Sequence, residues 1–137
     1  MSCQQEVVTV GRERFVSLTT FRRSGQPVAT PVWVAADGDA LVVITPEGTG
    51  KVKRLRHDPR VELRPCSRSG IVAPGAPVLL GQAEIVADPA RTARIINLIG
   101  AKYGLEYRLV LLIERLAVRR RRPRLGLRIT PCGPAER

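Results

Sequence analysis

Histidine is almost missing from this 137-residue chain: His57 is the only one. With scattered acids and a single imidazole, no Ser-His-Asp set can be assembled, and no His/Cys group has metal-ligand spacing. The cysteines, Cys3, Cys66 and Cys132, are odd in number and far apart. Reduced thiols are therefore expected rather than a disulfide framework. Aromatic residues make up 4%, and none interrupts the basic run RRRRPR at 119–124. That composition places nucleic-acid binding last among the functions considered, because such surfaces usually stack bases on aromatics beside the charge. Long apolar runs are absent too. Leu109 to Ile113 is the longest dense stretch, far short of the roughly 18–20 residues that cross a bilayer. The opening MSCQQEVV has neither a basic start nor an apolar core, so no secretion signal and a cytoplasmic location are expected.

Positive charge is what the chain has in excess. Lys and Arg number 23 against 12 acids, a net charge of +11. Only Lys51, Lys53 and Lys102 are lysines, so the remaining twenty (23 − 3) are arginines. A bias that strong can come from a GC-rich genome as readily as from binding. Two of three lysines within three residues is the more pointed fact.

Those two lysines lie in LVVITPEGTGKVKR, residues 41–54. A glycine-rich turn before Gly50-Lys51 invites a P-loop reading. That motif needs a glycine where this chain has Thr45 and a hydroxyl where it has Val52. The template fails.

Period-two patterning dominates the first half of the chain. Strands are expected at Arg14–Phe21, Pro27–Ala35 and Ala40–Thr45, with turns at 23–26 and at Asp37-Gly38-Asp39. Pro31 cannot donate to a ladder, which puts the second strand at an edge or a bulge. A short helix follows at Gly50–His57, with Val52 and Leu55 facing inward, and Asp58-Pro59 ends it. Further strands are expected at Arg60–Cys66, Val78–Val86 and Leu125–Thr130. Asp88-Pro89 opens a helix closed by Gly104, with Ala93, Ile96, Ile99 and Tyr103 as its stripe. A second helix would carry Leu105, Leu109, Leu112 and Leu116, and 119–124 would be an exposed loop. Six short antiparallel strands with flanking helices imply a small β-barrel in one domain, residues 1–137.

Cations at the first turn of a helix repel the positive end of its dipole, and the amides there lack partners. Lys51, Lys53 and Arg54 occupy that position. A docked anion reverses the sign. Each charge-assisted hydrogen bond contributes about 1.5–3 kcal/mol, against a repulsion of a few tenths to about 1 kcal/mol per charge. The bland alternative is that these side chains simply solvate an exposed helix face. His57, at the helix end, reads as a cap before it reads as a general base.

The segments SLTTFRRSGQPVATPVWVAADGDALVVIT and GKVKRLRHDPRVELRPC resemble the flavin/deazaflavin-binding split β-barrel proteins. These are similar in fold to pyridoxamine 5'-phosphate oxidase, and the chain most resembles the actinobacterial branch that uses coenzyme F-420. The resemblance runs from about Phe15 to Ile129. It implies a mainly β, six-stranded antiparallel FMN-binding split barrel with flanking helices. It also implies a homodimer holding the coenzyme at its interface, with the phosphate against Lys51, Lys53 and Arg54. The tricyclic ring would lie along Pro31, Val32 and Trp33, near Thr45. The implied activity is hydride transfer from reduced F-420 to an unsaturated small molecule, with FMN as the alternative coenzyme. A non-catalytic cofactor or tetrapyrrole carrier is a further alternative. Arg22, Arg23, Arg56 and Arg60 are candidates for the anionic tail of F-420. Trp33 would serve in packing or ring stacking, and Tyr103 and Tyr107 in packing or proton donation. No catalytic residue is assigned. The lack of a catalytic set suits an enzyme whose cofactor carries the chemistry.

Overall fold

A computed structural model describes residues 3–46, 49–106, 108–109 and 124–131. Its elements are α1 (Cys3–Gly11), β1 (Val16–Phe21), β2 (Pro27–Val32), β3 (Ala35–Asp37), β4 (Ala40–Pro46), α2 (Gly50–His57), β5 (Arg60–Pro65), β6 (Leu79–Val86), α3 (Pro89–Tyr103) and β7 (Arg124–Pro131). All the strand pairings are antiparallel, in the order β2-β1-β5-β6-β7-β4-β3.

That order forces the sheet to curl. β2 and β3 are its opposite edges, yet only Trp33 and Val34 separate them in the chain. Three backbone steps bridge at most about 11 Å, so the two edges meet. The result is a split barrel with its seam at Trp33-Val34.

Among the described residues seven strands form where six are expected. The run Pro27–Ala35 breaks at the seam, one part pairing with β1 and the rest joining Ala36 and Asp37 as β3 against β4. Pro31 does lie on an edge strand, opposite Ser17. The hairpin at 37–40 turns through Gly38, whose φ of 64° favours a residue without Cβ.

Alternation on β4 divides the core in two. Leu41 and Val43 join Leu18, Leu63, Leu127 and Ile129 inside the barrel. Val42 and Ile44 face the other way, toward Ile95, Ile99 and Tyr103 of α3. Both faces are covered, which explains the unbroken apolar run there.

The C-terminal half of the α3 stripe, Ile99 and Tyr103, is buried as expected, while its N-terminal half sits one residue earlier. Thr92, Ile95, Ile99 and Tyr103 are buried while Ala93 is exposed. Asp88 begins the helix as expected, accepting from the Arg91 amide at 2.9 Å, and Thr92 is held inward by donating to the Val86 carbonyl. α1 was not foreseen. Val7 and Val10, one turn apart, bury themselves in the barrel core. Leu105 and Leu109 are exposed, and the rest of the expected second helix, with Tyr107, Cys132 and 119–123, lies outside the described residues. Among the described residues no helix is long and apolar enough to cross a membrane.

Candidate functional site

β4 and α2 meet at the only stretch of this sequence that pairs threonines with lysines. Thr49 precedes α2 with extended backbone, but its side chain makes no capping bond; its hydroxyl lies 3.4 Å from that of buried Thr45. The first amide to bond back is that of Lys53, to the Thr49 carbonyl at 3.3 Å. The amides of Gly50, Lys51 and Val52 are thus left without intrahelical partners, and no acid stands in the first turn. Val52 and Leu55 are buried as expected and fix the rotation of the helix.

This rotation turns Lys51 toward a cavity of about 290 Å³. Pro31, Val32, Trp33 and Thr45 contribute to its walls, with Phe15, Ile44 and Ile99 adding apolar surface. Among the described residues three cations line it, Lys51, Arg68 and Arg124, and no acid does. Five of the seven expected site residues therefore come together: Pro31, Val32, Trp33, Thr45 and Lys51.

Lys53 and Arg54 do not line the cavity. Lys53 is exposed. Arg54 folds back over its own helix start, where its Nε donates to the buried Thr20 hydroxyl at 2.6 Å. A Cβ on Gly50 would stand 2.7 Å from the Arg54 Nη1, so glycine at this position admits the guanidinium. Arg22 approaches Arg54 from the β1–β2 turn.

The electrostatics of this set are unfavourable as it stands. Burial, and then the charge of Arg54, pushes the Lys51 ammonium below the ordinary lysine range. Arg54 is itself lowered by burial and by the charge of Arg22. Among the described residues, the Lys51 ammonium has no hydrogen-bond acceptor. Any anion at the helix start would meet amides without intrahelical partners and a desolvated cation together.

Trp33 forms the aromatic wall. Its indole stacks on the Tyr103 ring, centroids 4.6 Å apart and planes 13° from parallel. The Tyr103 hydroxyl is buried and engaged, donating to the Arg14 carbonyl at 2.8 Å and accepting from the Val34 amide at 3.0 Å. Tyr103 is a packing residue, as the first of its two expected roles had it.

Arg68 and Arg124 were missed by sequence reading. Arg68 sits in a loop without local signature, its guanidinium 5.7 Å from the Phe15 ring centroid and 3.3 Å from Glu106, which also pairs with Arg14. Arg124 is expected in an exposed loop but opens β7 opposite Pro46. Of the tail candidates, Arg60 is already paired with Asp58 at 2.8 Å, while Arg22, Arg23 and Arg56 are exposed. His57 is exposed in the last turn of α2, outside the cavity lining.

The family model described as pyridoxamine 5'-phosphate oxidase matches residues 4–132. Among solved structures, a conserved hypothetical protein of Mycobacterium tuberculosis is 24% identical, with 96% of this chain and 81% of that one covered, at a TM-score of 0.66. A protein named F-420 reductase is 19% identical over 90% of each chain, with a TM-score of 0.58. An FAD-binding protein of Mesorhizobium loti is 17% identical, with 94% and 87% covered, at 0.61. No curated protein matches. At these identities the neighbours speak for the fold.

Proposed function

Since the chain belongs to the pyridoxamine 5'-phosphate oxidase family, matched over residues 4–132, we propose that its cavity holds the deazaflavin coenzyme F-420 and that the protein is an oxidoreductase. One observation carries this reading. Lys51, half-buried and without an acceptor among the described residues, repels Arg54, which repels Arg22, at a helix start with uncapped amides. A phosphate docked there offsets these repulsions by attracting each cation and accepting from the helix-start amides.

In this reading the phosphate lies against Lys51 and the amides of Gly50 to Val52, and Arg54 and Lys53 add charge from outside the cavity. The ring system lies along Pro31, Val32 and Trp33, with Thr45 at its phosphate end. When bound, the reduced coenzyme supplies a hydride to an unsaturated small-molecule acceptor. The chain itself binds, orients and dries the site, with Phe15, Ile44 and Ile99 as apolar walls. Two structural neighbours, named for F-420 and for FAD, support a coenzyme of this class.

A homodimer is part of the proposal. The cavity is at the lower edge of the roughly 300–1,000 Å³ usual for ligand pockets. Pro27, Ala29 and Pro31 are exposed along the edge strand β2, and Pro31 also lines the cavity. A second copy packed on that strand would complete the wall.

FMN in the same pocket is the second reading. It is favoured by α2 sending only one cation, Lys51, into the cavity, which matches a single phosphate. A side-by-side fluorescence titration of the purified protein with F-420 and FMN tests both. Tighter binding of F-420, with hydride transfer to an acceptor, is expected. Tighter FMN binding moves the assignment to the second reading, and binding without turnover on any acceptor indicates a carrier. A folded protein that binds neither coenzyme overturns the proposal.

A further inference from the structure

The seam of the barrel is closed by side chains in place of a β-ladder. β2 and β3 do not pair, so the backbone between them needs other partners. Two consecutive residues at the end of α3 supply them. The Tyr103 hydroxyl accepts from the Val34 amide at 3.0 Å and sits 2.8 Å from the Arg14 carbonyl, to which it donates. The Lys102 ammonium donates to the Val34 carbonyl at 2.6 Å, to Gly11 at 2.7 Å and to Glu13 at 2.6 Å.

Both polar groups of Val34 are therefore held by one helix end. The same contacts tie that end to residues 11–14, which lead from α1 into β1. The neighbour of Val34 on the cavity side is Trp33, whose indole lies flat on the Tyr103 ring. Main chain and side chain are thus fixed together. A free indole would sample several rotamers; stacking of this kind favours one by roughly two- to tenfold.

We propose that Lys102 and Tyr103 are positioning residues that close the split seam and set the plane of Trp33 in the cavity wall, so that a flat heteroaromatic ligand meets a preformed surface. Neither residue touches the ligand; both act through Val34 and Trp33. The ligand arm of the inference rests on the coenzyme reading above. The seam arm does not.

Trp33 is the only tryptophan in the sequence, so its fluorescence reports the wall directly. The experiment compares the wild type with Tyr103→Leu, which removes ring and hydroxyl, and Tyr103→Phe, which keeps the ring. Each is measured by acrylamide quenching of Trp33 without ligand and by titration with F-420 and FMN, after urea denaturation has verified folding. The Leu variant is expected to show readier quenching and roughly tenfold weaker coenzyme binding, with most of both restored in the Phe variant. If the Leu variant does not fold, a modest rise in quenching in the Phe variant decides, and unchanged quenching overturns the inference. Wild-type quenching retained in a folded Leu variant overturns it whether or not either coenzyme binds. A wild type that binds neither coenzyme, with quenching that still follows the Tyr103 series, removes the coenzyme reading and leaves the positioning pair standing.

Discussion

Lys51 and Lys102 are both drawn partly out of water, and they have opposite surroundings. Lys102 gives its three protons to three main-chain carbonyls within 2.7 Å. Lys51, at the cavity, has no acceptor among the described residues and Arg54 for a neighbour. Burial lowers the pKa of each. An ammonium whose three donors are all used is part of the fold, because removing it takes a charge-assisted partner from three partly buried carbonyls at once. An ammonium held half-dry beside a second cation weakens the fold slightly, and its position makes sense when something anionic joins it. Under the coenzyme reading proposed above, the two lysines separate structure from function within one small barrel.

The strongest way to break that comparison is Lys102→Met, which keeps the apolar stem and removes the charge. Three carbonyls lose a charge-assisted partner at once, and a destabilisation of about 3 kcal/mol or more is expected in urea denaturation. For a domain of this size that is a fall in Tm on the order of 10 °C. A Tm within a degree or two of the wild type would show that water replaces the ammonium, and the distinction between the two lysines would collapse.

Lys51→Ala should do the reverse. Coenzyme affinity is expected to fall by tens-fold, since one charge-assisted bond to phosphate is worth about 1.5–3 kcal/mol. Thermal stability without ligand should be unchanged or slightly raised, because a desolvated and repelled cation has been removed. Equal affinity in a fluorescence titration would move the anion elsewhere, with Arg68 and Arg124 the next cations to test.

Lys53→Ala is a smaller and sharper comparison. The sequence places Lys51 and Lys53 together, but α2 turns them to different surroundings, one lining the cavity and one in solvent. An effect of no more than a few-fold, diminishing with salt, is expected for a cation acting only at long range. Loss as large as that of Lys51→Ala would mean that both reach the ligand.

These two neighbours also mark how far the sequence could be read. The barrel strands and α2 were legible because period two, Asp37-Gly38-Asp39 and Asp58-Pro59 are local signals. The cavity wall at Pro31 to Trp33 came from resemblance joined to an edge-strand proline. What was not legible depends on distance in the chain. Val7 and Val10 make a short pattern whose meaning lies in the barrel end that they fill. The first half of the α3 stripe falls on Thr92 and Ile95 in place of Ala93 and Ile96, because the Thr92 hydroxyl bonds the Val86 carbonyl, which makes a polar residue acceptable inside. The role of Lys102 carries no local signal, since its three acceptors come from residues 11, 13 and 34. No spacing rule brings those carbonyls together. Only the closing of the seam does.

The mildest test of the comparison uses pH, and its sign follows from proton counting. Lys51 has its pKa lowered from 10.5 in the folded protein, by burial first and then by Arg54. Between that lowered value and about 10.5 the unfolded chain binds more protons at this position than the folded one does. Stability of the ligand-free protein therefore gains from Lys51 as pH rises through the window. Coenzyme affinity moves the other way over the same interval, because the amine that remains offers no positive charge to a phosphate. Both trends begin at the lowered pKa of ligand-free Lys51, and because bound anion raises that pKa, the fall in affinity ends only at the raised value. Urea denaturation and coenzyme titration across the alkaline range, each repeated on Lys51→Ala, isolate its share from those of the other basic groups. Both slopes should flatten in the variant. An affinity that rises with pH, or one whose dependence survives the substitution, would separate the phosphate from Lys51.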